Sequence, residues 1–204
     1  MLWSNGAIDP TLADNCVYFH QHAFNVGQHV AHNAMIDECV QLGITWHIRV
    51  DDDCWMKTKA WHRRLMSVME NVKKLRGKYP VLGIRVDGLN NPPQTIAVAS
   101  DGQQRARLLE FKVGNEKVEA VEIVGGIFRM SHMSLLRYFR WDERQAMGFG
   151  DATQFKSLCE STGTDMLRVA SVRCTHGEST NKQNEANPSW SHEHDMLQYV
   201  PLGL

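Results

Sequence analysis

No two cysteines in this chain stand two residues apart, and the five present, Cys16, Cys39, Cys54, Cys159 and Cys174, are scattered and odd in number. That spacing excludes a zinc cluster of the C-x-x-C kind and argues against a disulfide framework, leaving reduced and mostly buried thiols. Neither sign of charge is in excess, since 22 Lys and Arg against 23 Asp and Glu give a formal net charge of −1. Without a basic field, binding to nucleic acid by phosphate neutralisation is disfavoured. Long apolar runs are missing too. The opening MLWSNGAIDP has neither a charged n-region nor an apolar h-region, and no run approaches the ~20 residues that span a bilayer, so a soluble, cytoplasmic protein is expected.

What is present suffices for one core. With 204 residues, 43% of them hydrophobic and 22% charged, a single domain over 1–204 is expected. From Gln28 to Leu42 the residues Val30, Met35, Cys39 and Leu42 recur at near-helical intervals, and Gly43 stands where helices commonly stop. Ile44 to Val50 then alternates like a strand. Trp61, Leu65, Val68, Val72 and Leu75 mark the clearest helix, closed by Gly77 and Pro80. Strand-like runs follow at VLGIRV, TIAVAS, ARLLEFKV and KVEAVEIV, separated by turn signals, and read as a meander. A short helix around Met133 to Phe139, a helix from Asp151 to Glu160 closed by Gly163, and a last strand MLRVASV complete the chain's regular elements. Helices and strands alternate in the first half, which predicts an α/β/α sandwich on a mostly parallel central sheet.

In open α/β sheets ligands bind beyond the carboxyl ends of the strands. Three features fall at such ends: Asp51, Asp52 and Asp53 after the strand WHIRV, the pair Gly125 and Gly126, and His176 after the last strand. Three adjacent carboxylates repel one another unless a cation sits among them, and hard divalent cations prefer carboxylate oxygen. A solvated turn or helix cap is the other reading of such a triplet.

The order of these pieces resembles a family-two glycosyltransferase with the GT-A nucleotide-sugar fold. SNGAID (4–9), AFNVGQHVAHNAMI (23–36), RVDDDC (49–54), GGIFRMS (125–131), FGDATQF (149–155) and THGE (175–178) are similar, in sequence order, to its segment after the second strand, first helix start, D-x-D, acceptor loop, catalytic helix start and late histidine. The resemblance implies a nucleotide-binding half over 1–100 and an acceptor or catalytic half over 101–204. It implies Mn2+ or Mg2+ held by Asp51, Asp53 and His176, and a nucleotide-sugar donor, most simply a UDP-sugar, contacted by Asn5, Asn25, Asn33, Asp51, Asp52, Gly125 and Gly126. The acceptor it implies would be a glycan, lipid, protein or modified base. Asp151 would take the acceptor's proton in an inverting transfer, with Asp142 or Glu143 as substitutes. Members usually begin with a strand and helix that wall the base pocket, whereas Leu2 and Trp3 already match the end of the second strand, and Ser4 stands where an acid is usual.

Each of these residues has a structural reading as well. Asn25 and Asn33 suit turns and caps, and Gly125 and Gly126 suit a bulge. Asp151 suits an N-cap, with Gln154 placed to complete a capping box; the usual second acid is replaced by Ala152. Trp55, Trp141 and Trp190 either stack on sugar or lie half-buried in the core. His192 and His194, in the polar SHEHD segment, read as solvated surface. Two other functions therefore stand beside the transferase: a non-catalytic nucleotide or carbohydrate module, and a metal-dependent hydrolase using Asp51, Asp53, His176 and His192 or His194.

Overall fold

The computed structural model describes residues 2–4, 19–21, 26–51, 54–87, 97–98, 104–105, 109–144 and 151–176. In chain order the elements are β1 (Leu2–Ser4), β2 (Phe19–Gln21), α1 (Gln28–Gln41), β3 (Trp46–Val50), β4 (Cys54–Met56), α2 (Trp61–Arg76), β5 (Val81–Asp87), β6 (Ala97–Val98), β7 (Gln104–Arg105), β8 (Leu109–Val113), β9 (Glu116–Ala120), β10 (Phe128–His132), α3 (Met133–Leu136), α4 (Asp151–Thr162) and β11 (Met166–His176).

The main sheet has the order β3-β10-β5-β11-β9-β8, with β4 paired to the far end of β11. Two short separate sheets pair β1 with β2 and β6 with β7. The expectation of a mostly parallel sheet is not met. Within the seven-stranded sheet β5 and β11 are the one parallel pair, and every other described pairing is antiparallel. The alternation of strands and helices was nonetheless informative. β3, β5 and β11 do share a direction, as helical crossovers require. β10 runs against them and is inserted between β3 and β5, so these two co-directed strands never pair, and β5 with β11 is the parallel contact that remains. GGIFRMS, expected as a loop, supplies this strand from Phe128 onward.

Alternation along β10 divides the core into two layers. Phe128 and Met130 join Leu65, Val68, Met69 and Val72 of α2 on one face of the sheet. On the other, Ile36 and Cys39 of α1 meet Phe155 and Cys159 of α4 around Trp141. The result is an α/β arrangement with helices on both faces. α2 follows its sequence pattern except at Leu75, which is 72% exposed in the last turn, before Gly77 (φ 78) closes the helix. α1 is rotated from the expected face: His29, Ala31, Asn33, Ile36 and Cys39 are buried, and Leu42 is exposed. Two polar side chains turn inward there because both find partners across the core, in the segment following α3.

Buried ion pairs lock the β9 side. Arg168 and Glu119 face each other across β11 and β9 and form a buried pair. Arg64 of α2 holds Glu116 through Nε and Nη2 at 2.7 and 2.6 Å, and Ser171 also donates to that carboxylate. Among the described residues no disulfide links Cys39, Cys54, Cys159 and Cys174, and no helix is long and apolar enough to cross a membrane.

Candidate nucleotide and metal site

β3 ends at Val50, and the chain turns back at once. The Asp51 N–H donates to Ile127 O at 3.0 Å, and the Asp51 carbonyl accepts from Cys54 N–H at 3.2 Å. That turn launches β4, whose register against β11 sets Cys54 opposite His176. Residues 125 positions apart in sequence thereby reach one place: His176 Nε2 lies 3.9 Å from Asp51 Oδ2. The other carboxylate oxygen of Asp51, Oδ1, lies 3.6 Å from Arg49 Nη2. His176 is buried and Asp51 half-buried. A divalent cation with bonds of ~2.0–2.2 Å to nitrogen and oxygen can bridge two atoms up to ~4.2 Å apart. The observed 3.9 Å falls within that reach. Among the described residues no group of three or more His, Cys, Asp and Glu side chains gathers as a complete metal site. Asp52 and Asp53, expected beside Asp51, lie outside the described residues, as do Asn5, Asn25, Trp190, His192 and His194.

Behind Asp51 lies a layer of buried positive charge. β3 and β10 are registered so that Arg49 faces Arg129 and His47 faces Ser131. Burial, reinforced by the neighbouring Arg49 charge, pulls Arg129 down to about 9. Its guanidinium stacks 3.9 Å over the Phe155 ring and 5.4 Å from Trp141, a cation–π arrangement suited to a desolvated arginine. Arg49 is lowered by burial and partly restored by Asp51. Burial first, then Arg129 and Arg49, drive His47 down to about 3. His32, beside Trp141, is pushed well below its ordinary value by burial and the same arginines. The imidazoles in this layer are therefore neutral at pH 7, and the positive charge resides on the two arginines.

Gly126 has a concrete reason for lacking a side chain. A Cβ there would sit 3.0 Å from Arg49 Nη1 and 3.2 Å from its Cζ, tight enough that the guanidinium would have to give by a few tenths of an ångström. The close approach that favours glycine is thus to the flat Arg49 guanidinium. Gly125 is buried beside it.

Asn33 proves to be a clip. Its amide nitrogen donates to Trp141 O at 2.9 Å and to Glu143 Oε1 at 2.8 Å, while its oxygen accepts from Trp141 N–H at 2.8 Å. One turn earlier, His29 Nδ1 bonds to Asp142 O at 2.8 Å. Gln154, expected to reach back in a capping box, accepts from Asp142 N–H at 2.9 Å and so ties the same segment to α4. Asp142 is gripped by the Arg144 guanidinium at 2.8 Å through both carboxylate oxygens, which holds it at about 2. Asp151 opens α4, and its side chain lies outside the described residues. Trp141 is core, while Trp55 is 58% exposed on β4, two residues from the acidic tip's last member.

Sequence reasoning overlooked Arg49, Arg129 and Asp87. Asp87, at the carboxyl end of β5, is bound by Arg85 at 3.2 Å and by Arg173 at 2.8 Å. The motif VDG at that strand end was the available signal.

The strand ends thus converge, and the order β3-β10-β5-β11 can be set against solved folds. A structure search aligns 81% of this chain with the crystal structure of GalNAc-T7 holding UDP, GalNAc and Mn2+, at 13% identity and a TM-score of 0.59. This chain has a GT-A-like fold. The aligned part spans about a third of the GalNAc-T7 chain (33%), so the likeness concerns the fold and not the whole enzyme. The A197 protein from STIV aligns over 86% of this chain and 83% of its own, at 10% identity and a TM-score of 0.49. No protein-family model matches the sequence, and neither does any curated protein.

Proposed function

We propose that this GT-A-like chain is a metal-dependent glycosyltransferase that moves a sugar from a nucleoside-diphosphate donor, UDP-sugar first, to an acceptor hydroxyl. The observation that carries the reading is the meeting of Asp51 Oδ2 and His176 Nε2 at 3.9 Å, at the carboxyl ends of β3 and β11. Their neighbour in fold, GalNAc-T7, was solved with UDP and Mn2+.

Asp51 and His176, with Asp53, are the residues that would hold Mn2+ or Mg2+. When bound, the cation supplies charge neutralisation for the diphosphate leaving group. The chain's own contribution is positional and electrostatic. Arg49 fixes one oxygen of Asp51 and so presents the other to His176. Arg49 and Arg129 together make the end of the β3–β10 pair positive, which favours an approaching diphosphate. In the transfer the acceptor oxygen bonds to the anomeric carbon as the carbon–diphosphate bond breaks, inverting the configuration, and the acceptor's proton passes to a carboxylate. Asp142, held near 2 by Arg144, is a poor proton acceptor, and Glu143 is occupied by Asn33. That leaves Asp151 as the base. Gly125, Gly126, Asn25, Asn5 and Asp52 would line the donor, and a glycan, lipid, protein or modified base would be the acceptor.

The test is thermal stabilisation by UDP with and without Mn2+, followed by UDP release from UDP-sugars. Mn2+-dependent stabilisation of the parent chain is expected, lost in His176→Ala and Asp51→Asn. Loss of one ligand that lowers affinity 10- to 100-fold removes ~1.4–2.7 kcal/mol of that stabilisation. UDP binding that is indifferent to Mn2+ and to both substitutions refutes the reading. Binding without UDP release identifies a non-catalytic module instead.

A further inference from the structure

The opposite end of the sheet carries a second, unrelated feature. α1 runs into β3, α2 into β5 and α4 into β11, so the carboxyl ends of three helices gather beside the amino ends of three co-directed strands. Five large apolar side chains are exposed there: Val40 (47%), Leu42 (48%) and Ile44 (37%) around the α1–β3 turn, Leu75 (72%) on α2, and Tyr138 (88%) after α3. The remaining exposed large hydrophobics among the described residues, Ile48, Val50 and Trp55, belong to β3 and β4. Leu75 sits in a basic stretch, with Lys73, Lys74, Arg76 and Lys78 around it, and Arg137 adjoins Tyr138. A groove of about 520 Å³ runs between these elements, lined by Lys73, Lys78, Tyr79, Leu135, Phe139 and Leu158. It shares His132 with a smaller depression of about 140 Å³ lined by Val40, Ile44 and Arg137. Through His132 the two hollows connect Val40, Ile44 and Tyr138 with Lys73, Lys78 and Arg137.

Acidic groups cancel this charge only in part. Asp165 faces Arg76 at 3.9 Å and Glu70 accepts from the neutral Tyr79 hydroxyl at 3.2 Å, two carboxylates against Lys73, Lys74, Arg76, Lys78 and Arg137. Lys73 and Lys78 donate to the backbone carbonyls of Gly77 and Thr162, bonds that leave their positive charge in place. Although the whole chain has a net charge of −1, this end is locally cationic.

We propose that this end docks on an anionic lipid bilayer. Basic side chains bordering exposed aliphatics match the two demands of such a surface, attraction by anionic headgroups and insertion at the acyl boundary. Nucleic acid fits less well, because four of the five exposed apolar side chains are aliphatic and offer a base no ring to stack on. Docked in this way, the protein keeps Asp51 and His176 at the far end of the strands, away from the bilayer. The inference does not depend on the proposed transferase activity.

The experiment is co-sedimentation of the full chain with phosphatidylcholine vesicles, with and without added phosphatidylglycerol, at low and high salt. Binding is expected only to vesicles containing phosphatidylglycerol, and it weakens as salt rises. Each Lys or Arg near such a surface strengthens binding roughly fivefold. The double variant Lys74→Gln/Arg137→Gln is therefore expected to bind about 25-fold more weakly. Leu75→Ser loses about tenfold through the apolar term. All three side chains are on the surface, so unchanged melting temperatures verify that the variants are folded. Equal binding to neutral vesicles, no vesicle binding at low salt, or full binding by the charge variant overturns the proposal. So does retention on poly-uridine or on an acidic protein without vesicle binding.

Discussion

Replacing Asn33 by alanine tests whether this side chain is a structural clip or a ligand contact. The amide makes three bonds at 2.8–2.9 Å, two of them to the backbone N–H and C=O of Trp141, a residue only 3% exposed. Alanine removes the partner of both buried groups and creates no path for water to replace it. Each buried polar group left without its partner costs ~1–3 kcal/mol, so a loss of about 2–6 kcal/mol is expected. For a chain of this length each kcal/mol shifts the melting temperature by ~2–4 °C, which gives a fall of roughly 4–24 °C in a thermal melt. Asn33→Asp provides a control. It keeps an acceptor for Trp141 N–H but cannot donate, and it brings a second carboxylate towards Glu143, so it should be destabilised at least as much. A fall of less than about 2 °C in Asn33→Ala, combined with weakened UDP binding, would sink the clip and return Asn33 to the donor site.

Three more outcomes follow from particular contacts. Phe155→Ala should cost ~3–5 kcal/mol in urea denaturation, because the ring is 1% exposed and packs against Trp141 and the Arg129 guanidinium. Gly126→Ala should displace the Arg49 guanidinium, which lies 3.0 Å from the new methyl, and lower Mn2+-dependent UDP affinity more than it lowers stability. Glu116 is held below the ordinary carboxylate value, chiefly by the Arg64 hydrogen bonds. Its folded value is depressed, so the unfolded chain binds the proton more readily. The pair's stabilisation is therefore present above about pH 4.5 and fades as pH falls through the folded value. Arg64→Ala should lower stability at neutral pH by ~1.5–3 kcal/mol and flatten the acid limb of the stability profile, read from urea midpoints across pH.

Much of this arrangement was legible in the residues. The helical spacing of Leu65, Val68 and Val72 before Gly77 located α2, and the strand ends at Asp51 and His176 located the convergence. Strand direction was not legible, because it is set by which connection returns the chain and leaves no local pattern. β10 was hidden for a related reason. FRMSH carries an arginine and a histidine that look solvent-facing, yet Arg129 is 1% exposed, accommodated by aromatic rings contributed from Trp141 and Phe155. Asn33 stayed open between a donor contact and a bridge to backbone groups, because an amide's preference for a buried backbone depends on residues 108 positions away.

The position of β11 carries a consequence for how the protein is made. This strand, the last among the described residues, pairs with β5, β9 and β4 and so lies in the interior of the sheet. Until Met166 to His176 leave the ribosome, the β3-β10-β5 part and the β8-β9 hairpin have no hydrogen-bonded seam between them, and Asp51 lacks the imidazole that faces it. Nascent chains stopped short of residue 166 should therefore expose two open sheet edges and remain sensitive to protease, while extension by one strand closes both edges together.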